Sequence, residues 1–225
     1  MSKSPKRLRN SEKVRKIHPD NPAPDVIIEA VRIIKQGGIV SFPTRCLYGL
    51  GANPFDTEAV NRIFEIKQRS FEKPILVLVR NQNDLADLVK FIPLVAERMM
   101  KTIWPGRISL VFEARDTLPP NLTANTDKIG IRMPEHRVAV ALVEAFAGPI
   151  TGTSANLSGD MGANQSPDLN SQIADSLDLM LDAGPLKGGI GSTVVDVTTD
   201  PPSILREGEV SAAEIFRVIE KDFQK

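Results

Sequence analysis

Short apolar runs alternate with amphipathic stretches along this chain, and the pattern predicts an α/β protein. Pro24 and Asp25 open a segment whose apolar positions Ile27, Val31 and Ile34 share one helical face, and Gly37-Gly38 ends it. Ile39 to Phe42 reads as a strand. The following stretch, residues 43–56, carries Gly49, Gly51 and Pro54 and reads as a loop. Thr57-Glu58 starts a second helix with Val60, Ile63, Phe64 and Ile66, ending near Lys67-Gln68-Arg69. Ile75 to Val79 is an apolar run between polar flanks, the pattern of a buried strand. A helix is expected over about 93–103, strands over 108–112 and 129–133, and an apolar helix over 138–146. Short strands at 179–182, 193–198 and 203–205 precede a last helix capped by Ser211. Because the late strands follow one another closely, a twisted mixed sheet with helices on its faces is expected, in a single domain.

Composition narrows the classes. The chain has 225 residues, 41% hydrophobic and 25% charged, enough for one substantial core. The 28 basic residues balance 28 acidic ones, which argues against a globally basic nucleic-acid binder. The charge is uneven, however. Residues 1–16 hold Lys3, Lys6, Arg7, Arg9, Lys13, Arg15 and Lys16 against the single acid Glu12. Residues 1–20 therefore read as a solvated basic arm and 21–225 as the folded domain. The arm's functional alternative is contact with the phosphates of tRNA or double-stranded RNA. One cysteine, Cys46, allows no internal disulfide and fits a reducing compartment. No apolar run of about 18 residues occurs, so a cytoplasmic protein without a membrane partner is expected.

Several chemistries lack their residues. His18 and His136 are too few for a His/Cys metal site, and His136 suits a helix cap. Neither a Walker A pattern nor Gly-x-Ser-x-Gly is present. What remains is a series of polar clusters beside apolar runs: Lys67-Gln68-Arg69, Arg132, Ser154-Ala155-Asn156, Ser192-Thr193 and Arg206. Fixed cations with hydroxyl and amide donors suit phosphates and a small carboxylate. Each cluster also has a plain structural use. Lys67 and Arg69 would compensate a helix dipole, Ser154 and Asn156 suit a turn, and Ser192-Thr193 could simply begin a strand. Arg132 suits a surface ion pair as well as a carboxylate clamp, and Arg206 could pair with Glu207.

The clusters come in a recognisable order. Pro43-Thr44 leads to Tyr48-Gly49-Leu50-Gly51; then follow Lys67-x-Arg69, Arg132-x-Pro134, Ser154-x-Asn156, Ser192-Thr193-Val194-Val195-Asp196 and Arg206-x-Gly208. From about Gly37 to Gly208 the chain resembles the YrdC-like family of threonylcarbamoyl-AMP synthases. The resemblance implies an α/β twisted sheet around a concave basic cavity. It also implies a nucleotidyltransferase that makes threonylcarbamoyl-AMP and pyrophosphate from L-threonine, bicarbonate or CO2, and ATP. That product would feed the tRNA-modifying threonylcarbamoyl transferase machinery toward t6A. By resemblance, Lys67, Arg69, Ser154, Asn156 and Arg206 hold ATP, with Lys67 and Arg69 catalytic. Thr44, Cys46, Arg132 and Ser192 hold threonine, and Mg²⁺ accompanies ATP without a resident metal site. Longer family members add a C-terminal domain, for which 225 residues leave no room.

The chain also departs from the family. Pro-Thr-Glu-Thr reads Pro43-Thr44-Arg45-Cys46, and Asn-Pro after the Lys-x-Arg reads Lys73-Pro74. A histidine ending the next strand is replaced by Leu78 or Val79, and a small hydroxyl residue by Gly152. These changes cluster on the threonine side. Two alternatives follow: a divergent paralogue with an altered amine substrate, and a noncatalytic RNA-binding protein using the basic cavity.

Overall fold

A computed structural model describes residues 13–220. The chain runs through β1 (Val14–Lys16), α1 (Pro24–Lys35), β2 (Val40–Pro43), β3 (Tyr48–Gly51), α2 (Thr57–Lys67) and β4 (Val77–Leu78). After a 3-10 turn (Gln82–Asp87) come α3 (Leu94–Ile103), β5 (Ile108–Glu113), β6 (Lys128–Arg132), α4 (Arg137–Phe146), β7 (Ile150–Thr151) and β8 (Thr153–Ser154). The remainder is α5 (Ser171–Ser176), β9 (Leu179–Asp182), β10 (Thr193–Asp196), β11 (Ser203–Arg206) and α6 (Ala212–Glu220).

The α/β class and the mixed pairing are as expected, but the strands divide between two sheets. One has the order β1-β9-β2-β3-β8 and the other β11-β10-β5-β6-β4-β7. Both sheets mix parallel pairs (β1/β9, β2/β9, β5/β10, β4/β6) with antiparallel ones. The apolar stripe of α1, with Ile27, Ala30, Val31 and Ile34 buried, packs with Val138, Leu142 and Val143 of α4 beside β2 and β9. A second, larger cluster gathers Phe64 of α2, Met99 of α3, and Leu110 and Phe112 of β5. Full burial of each such side chain contributes about 1.5–3 kcal/mol, which fixes the sheet faces from which the site residues project.

Helix ends follow local chemistry. Asp56, one residue before the expected start, caps α2 by accepting from the amides of Glu58 (3.0 Å) and Ala59 (3.1 Å). His136 accepts from the amide of Val138, and Ser211 accepts from that of Glu214, as expected for their helix starts.

Three expectations change. The glycine-rich stretch over 43–56 is not all loop: Tyr48–Gly51 pairs antiparallel with β2. A Cβ on Gly51 would lie 2.9 Å from Cε1 of Phe42, so glycine here serves a close approach within a sheet. The five-residue strand expected over 75–79 narrows to Val77–Leu78 in its pairing, while the amide of Ile75 turns to the carbonyl of Leu122. Finally, part of the presumed arm is built into the fold. Val14–Lys16 pairs parallel with Met180–Asp182. Lys13 donates to the carbonyls of Asp175 and Leu177, Arg15 pairs with Glu29, and Lys16 pairs with Asp182. The basic residues Lys3, Lys6, Arg7 and Arg9 lie outside the described residues.

Candidate functional site

The ends of β2, β3, β6, β8 and β11 converge on a cavity of about 490 Å³. Five cations line it (Arg45, Arg69, Lys128, Arg132 and Arg206) against one carboxylate, Glu209. This is an anion site by charge, and its size suits a small organic ligand.

Arg132 ends β6, where Leu78 of β4 is its register partner; β6 lies between β5 and β4, so the residue leaves from a strand end inside the sheet and not from the sheet edge expected of it. Its Nε is buried without a hydrogen-bond partner among the described residues. Burial and the nearby charge of Arg206 pull its pKa down to about 10, so the guanidinium still carries its charge near neutrality. A cation held under repulsion with an unspent donor is arranged for an incoming anion.

Arg69 follows the left-handed residue Gln68 that ends α2. It donates to the carbonyls of Lys73 (3.0 Å) and Pro74 (2.9 Å), which fixes its fork against the cavity wall. Lys73 itself is exposed and acts here only through its carbonyl. Arg206, at the end of β11, donates to the carbonyl of Ser192 (2.8 Å). Burial lowers the pKa of both arginines.

Ser192 lines the cavity, with its hydroxyl 2.8 Å from that of Ser109. Thr44 lines it too, its hydroxyl donating to the carbonyl of Leu47 (2.6 Å). Cys46 also lines it but is only 4% exposed; burial first, then the charge of Glu209, raises its pKa and keeps it a thiol.

Two expected ligand residues stand elsewhere. Lys67 is 1% exposed and does not line the cavity. Its Nζ donates to the carbonyls of Ser154 and, at 2.7 Å, Asn156. Burial, with the charge of Arg69 adding to it, lowers its pKa to about 7. Lys67 thus holds the segment that presents Ser154 to the cavity, and the Nζ expected at ATP is turned here to these two carbonyls. Asn156 behaves similarly. Its Nδ2 donates to the carbonyls of Leu157 (2.7 Å) and Asp160 (2.9 Å), and it too stands behind the lining. The spacing Ser-x-Asn turns the backbone, and Ser154 alone of the two faces the cavity.

Other lining residues were not singled out from the sequence. Lys128 donates to Asp196 (2.8 Å) while lining the cavity. Arg45 donates to Glu209 (3.0 Å) and to Glu135, joining the β2–β3 turn to two other loops at the mouth. Burial opposes the charge on Glu209, but bonds from Lys187 and Arg45 hold its pKa below the ordinary range. The Thr193 hydroxyl donates to the carbonyl of Val210 and accepts the amides of Gly208 and Val210, which fixes Glu209 between them. Tyr48 braces the opposite side: its hydroxyl donates to the carbonyl of Gly184 (2.8 Å) and accepts the amide of Ala183 (3.1 Å). Tyr48→Phe leaves that amide without its acceptor, and a loss of about 1–3 kcal/mol is expected in the urea midpoint.

The chain as a whole has relatives in sequence and in fold. The sequence profile of the Sua5/YciO/YrdC family, described as "Telomere recombination", matches residues 32–208. Threonylcarbamoyl-AMP synthase of Pyrococcus abyssi is 37% identical over 84% of this chain and 56% of its own length. YciO of Escherichia coli is 34% identical over 85% of this chain and 93% of its own. The crystal structure of P. abyssi Sua5 complexed with L-threonine superposes with a TM-score of 0.87, covering 92% of this chain and 60% of that one. The crystal structure of E. coli YciO superposes with 0.82, covering 90% and 98%. This chain spans 56% of the length of the synthases from P. abyssi and Bacillus subtilis that it matches. With a profile match across all the cavity-lining strands and identities above 30% over most of the sequence, the chain belongs to the Sua5/YciO/YrdC family.

Proposed function

We propose that this chain is an ATP-dependent synthase of the threonylcarbamoyl-AMP type, a nucleotidyltransferase acting on an α-amino acid. The observation that carries the proposal is the buried Nε of Arg132, without a partner among the described residues, in a cavity shared with Arg69 and Arg206. One arginine takes the amino-acid carboxylate and the other two take the phosphates. Relatives named threonylcarbamoyl-AMP synthase, and the one crystallised with L-threonine, support the choice of substrate.

The amine of threonine condenses with bicarbonate to a carbamate, releasing water. A carbamate oxygen then attacks the α-phosphorus of ATP; the new P–O bond forms as the bond to the β-phosphate oxygen breaks, and pyrophosphate leaves. No enzyme nucleophile is required. Arg69 and Arg206 neutralise developing phosphate charge, Ser154 offers a hydroxyl, and Arg132 holds the carbamate end in line. Among the described residues no cluster of three or more His, Cys, Asp or Glu side chains is placed to hold a metal. Among the described residues the cavity's only carboxylate is Glu209, already bonded by Arg45 and Lys187. This donor set fits a Mg²⁺ ion carried on the phosphates of ATP rather than one caged by the protein. The product fits delivery to a tRNA-modifying transferase in the cytoplasm, and among the described residues no helix is long and apolar enough to cross a membrane.

The test is pyrophosphate release from ATP and bicarbonate with and without L-threonine, with mass detection of the adenylate. Threonine-dependent release of the threonylcarbamoyl adduct is expected. ATP binding without any amino-acid-dependent release would overturn the proposal.

A further inference from the structure

The wall beside Arg132 has an unusual construction. Gly152 lines the cavity, and its amide donates to the carbonyl of Leu76 (2.8 Å). Leu78, the register partner of both Arg132 and Ile150, is fully buried. A Cβ placed on Gly152 would stand 2.5 Å from Cγ of Leu78 and 2.8 Å from its Cδ2. Leucine thus occupies the space that any side chain at 152 would need. What faces the ligand here is bare backbone with a packed isobutyl group behind it. The nearby polar groups offer little in exchange. Cys46 is a buried thiol, a weak hydrogen-bonding group. The hydroxyl proton of Thr44 goes to the carbonyl of Leu47, which leaves its oxygen only as an acceptor, and the hydroxyl of Ser192 shares a bond with Ser109. Thr153 and Ser154 follow Gly152 on β8 and stand opposite Leu50 and Gly49 of β3.

We infer that the substrate side chain is read at the Leu78–Gly152 wall by packing and not by a hydrogen bond, so that small apolar α-amino acids such as L-valine are taken alongside L-threonine. This deepens the synthase reading and rests on it. Gly152 and Arg132 line one cavity, and Leu78 on the strand between them is the register partner of Arg132, so an amino acid whose carboxylate lies on Arg132 has this wall within reach of its side chain. A methyl and a hydroxyl are nearly equal in volume, so a shape-selective wall separates valine from threonine weakly. Apolar pockets discriminate such pairs by roughly a hundredfold, whereas sites built to bond a hydroxyl reach about ten-thousandfold or more.

The experiment compares kcat/KM for L-threonine and L-valine in the pyrophosphate assay. It also measures binding of each amino acid by calorimetry to the full chain with a nonhydrolysable ATP analogue. A threonine preference below about a thousandfold, with comparable dissociation constants, is expected; a larger preference, or binding of threonine alone, overturns the inference. If both amino acids bind comparably and neither releases pyrophosphate, the synthase reading fails while the wall's selectivity stands. The wall itself is tested by the pair Leu78→Ala/Gly152→Ser. Gly152→Ser alone should unfold at lower urea, because its Cβ meets Leu78. The double variant should recover stability and raise the threonine preference at least about tenfold, as a new hydroxyl contact would. A stable single variant with the discrimination of the double variant would show that the two positions are not coupled, and the inference would fall.

Discussion

Arg132→Ala should remove amino-acid use while leaving the fold intact or slightly firmer. The residue is half-buried, its guanidinium is repelled by Arg206, and its buried Nε has no partner among the described residues. Holding it there costs stability that only a bound carboxylate returns, the usual trade at a binding site. Truncating one partner of a buried, charge-assisted pair costs about 2–5 kcal/mol, so kcat/KM for the amino acid should fall by roughly thirtyfold to five-thousandfold. ATP affinity should hold steady or improve slightly, since Arg69 and Arg206 remain. Titrations of each substrate, with a thermal melt of the variant, read all three quantities. An unchanged KM for the amino acid would remove Arg132 from the carboxylate role, and a collapsed melt would mean that it serves the fold.

Lys67→Met should lower activity by roughly tenfold to a hundredfold, the penalty of a misplaced site group, although the side chain is not among those lining the cavity. Its Nζ secures the carbonyls of Ser154 and Asn156, so removing it loosens the turn that presents the Ser154 hydroxyl. The stability effect depends on pH. Burial lowers the pKa of Lys67 to about 7, from an ordinary value of 10.5. Between these values the unfolded chain keeps a proton that the folded chain has released, so stability rises with pH across that window. Below pH 7 both states are protonated, and the buried charge weighs against the fold. Methionine there removes the charge but strands two carbonyls, at about 1–3 kcal/mol each, so the two effects largely offset. At pH 9–10 only the loss of donors remains, and the wild-type chain should be clearly more stable than the variant. Urea midpoints for both proteins from pH 6 to 10 check this. Parallel curves would mean that Lys67 does not titrate in the folded state.

Much of the architecture could be read from periodicity. Helices α1, α2 and α4 and strands β5, β6 and β9 lie close to where their apolar spacing puts them, because one face of each meets a core. The misses have local causes. Strand β3 is Tyr-Gly-Leu-Gly, and its glycines answer to the Phe42 ring on the next strand, a contact that linear spacing does not carry. Strand β1 is three residues inside a basic run, and its pairing partner lies more than 160 positions away. For the site, the order of motifs pointed to Arg69, Arg132, Ser154, Ser192 and Arg206, all of which line the cavity. The inward turn of Lys67 and the outward turn of Lys128 could not be read, since both depend on which face of an element meets the cavity. Arg45, noticed only as a departure from the family pattern, proves to be the residue that ties three loops together at the mouth.

The pairing of Val14–Lys16 with β9 has a bearing on how this protein keeps to itself. Leu179, Met180 and Leu181 of β9 are buried, and without β1 their strand would present an open row of backbone donors and acceptors at the margin of the sheet. Sticky margins of that kind recruit neighbouring chains. The strand laid over it is short, and both Arg15 and Lys16 carry charge into the position where a stranger would dock. The basic residues of this short strand, each paired with an acid of the fold, thus also serve as a selvedge: they leave the margin polar and a poor template for a further strand.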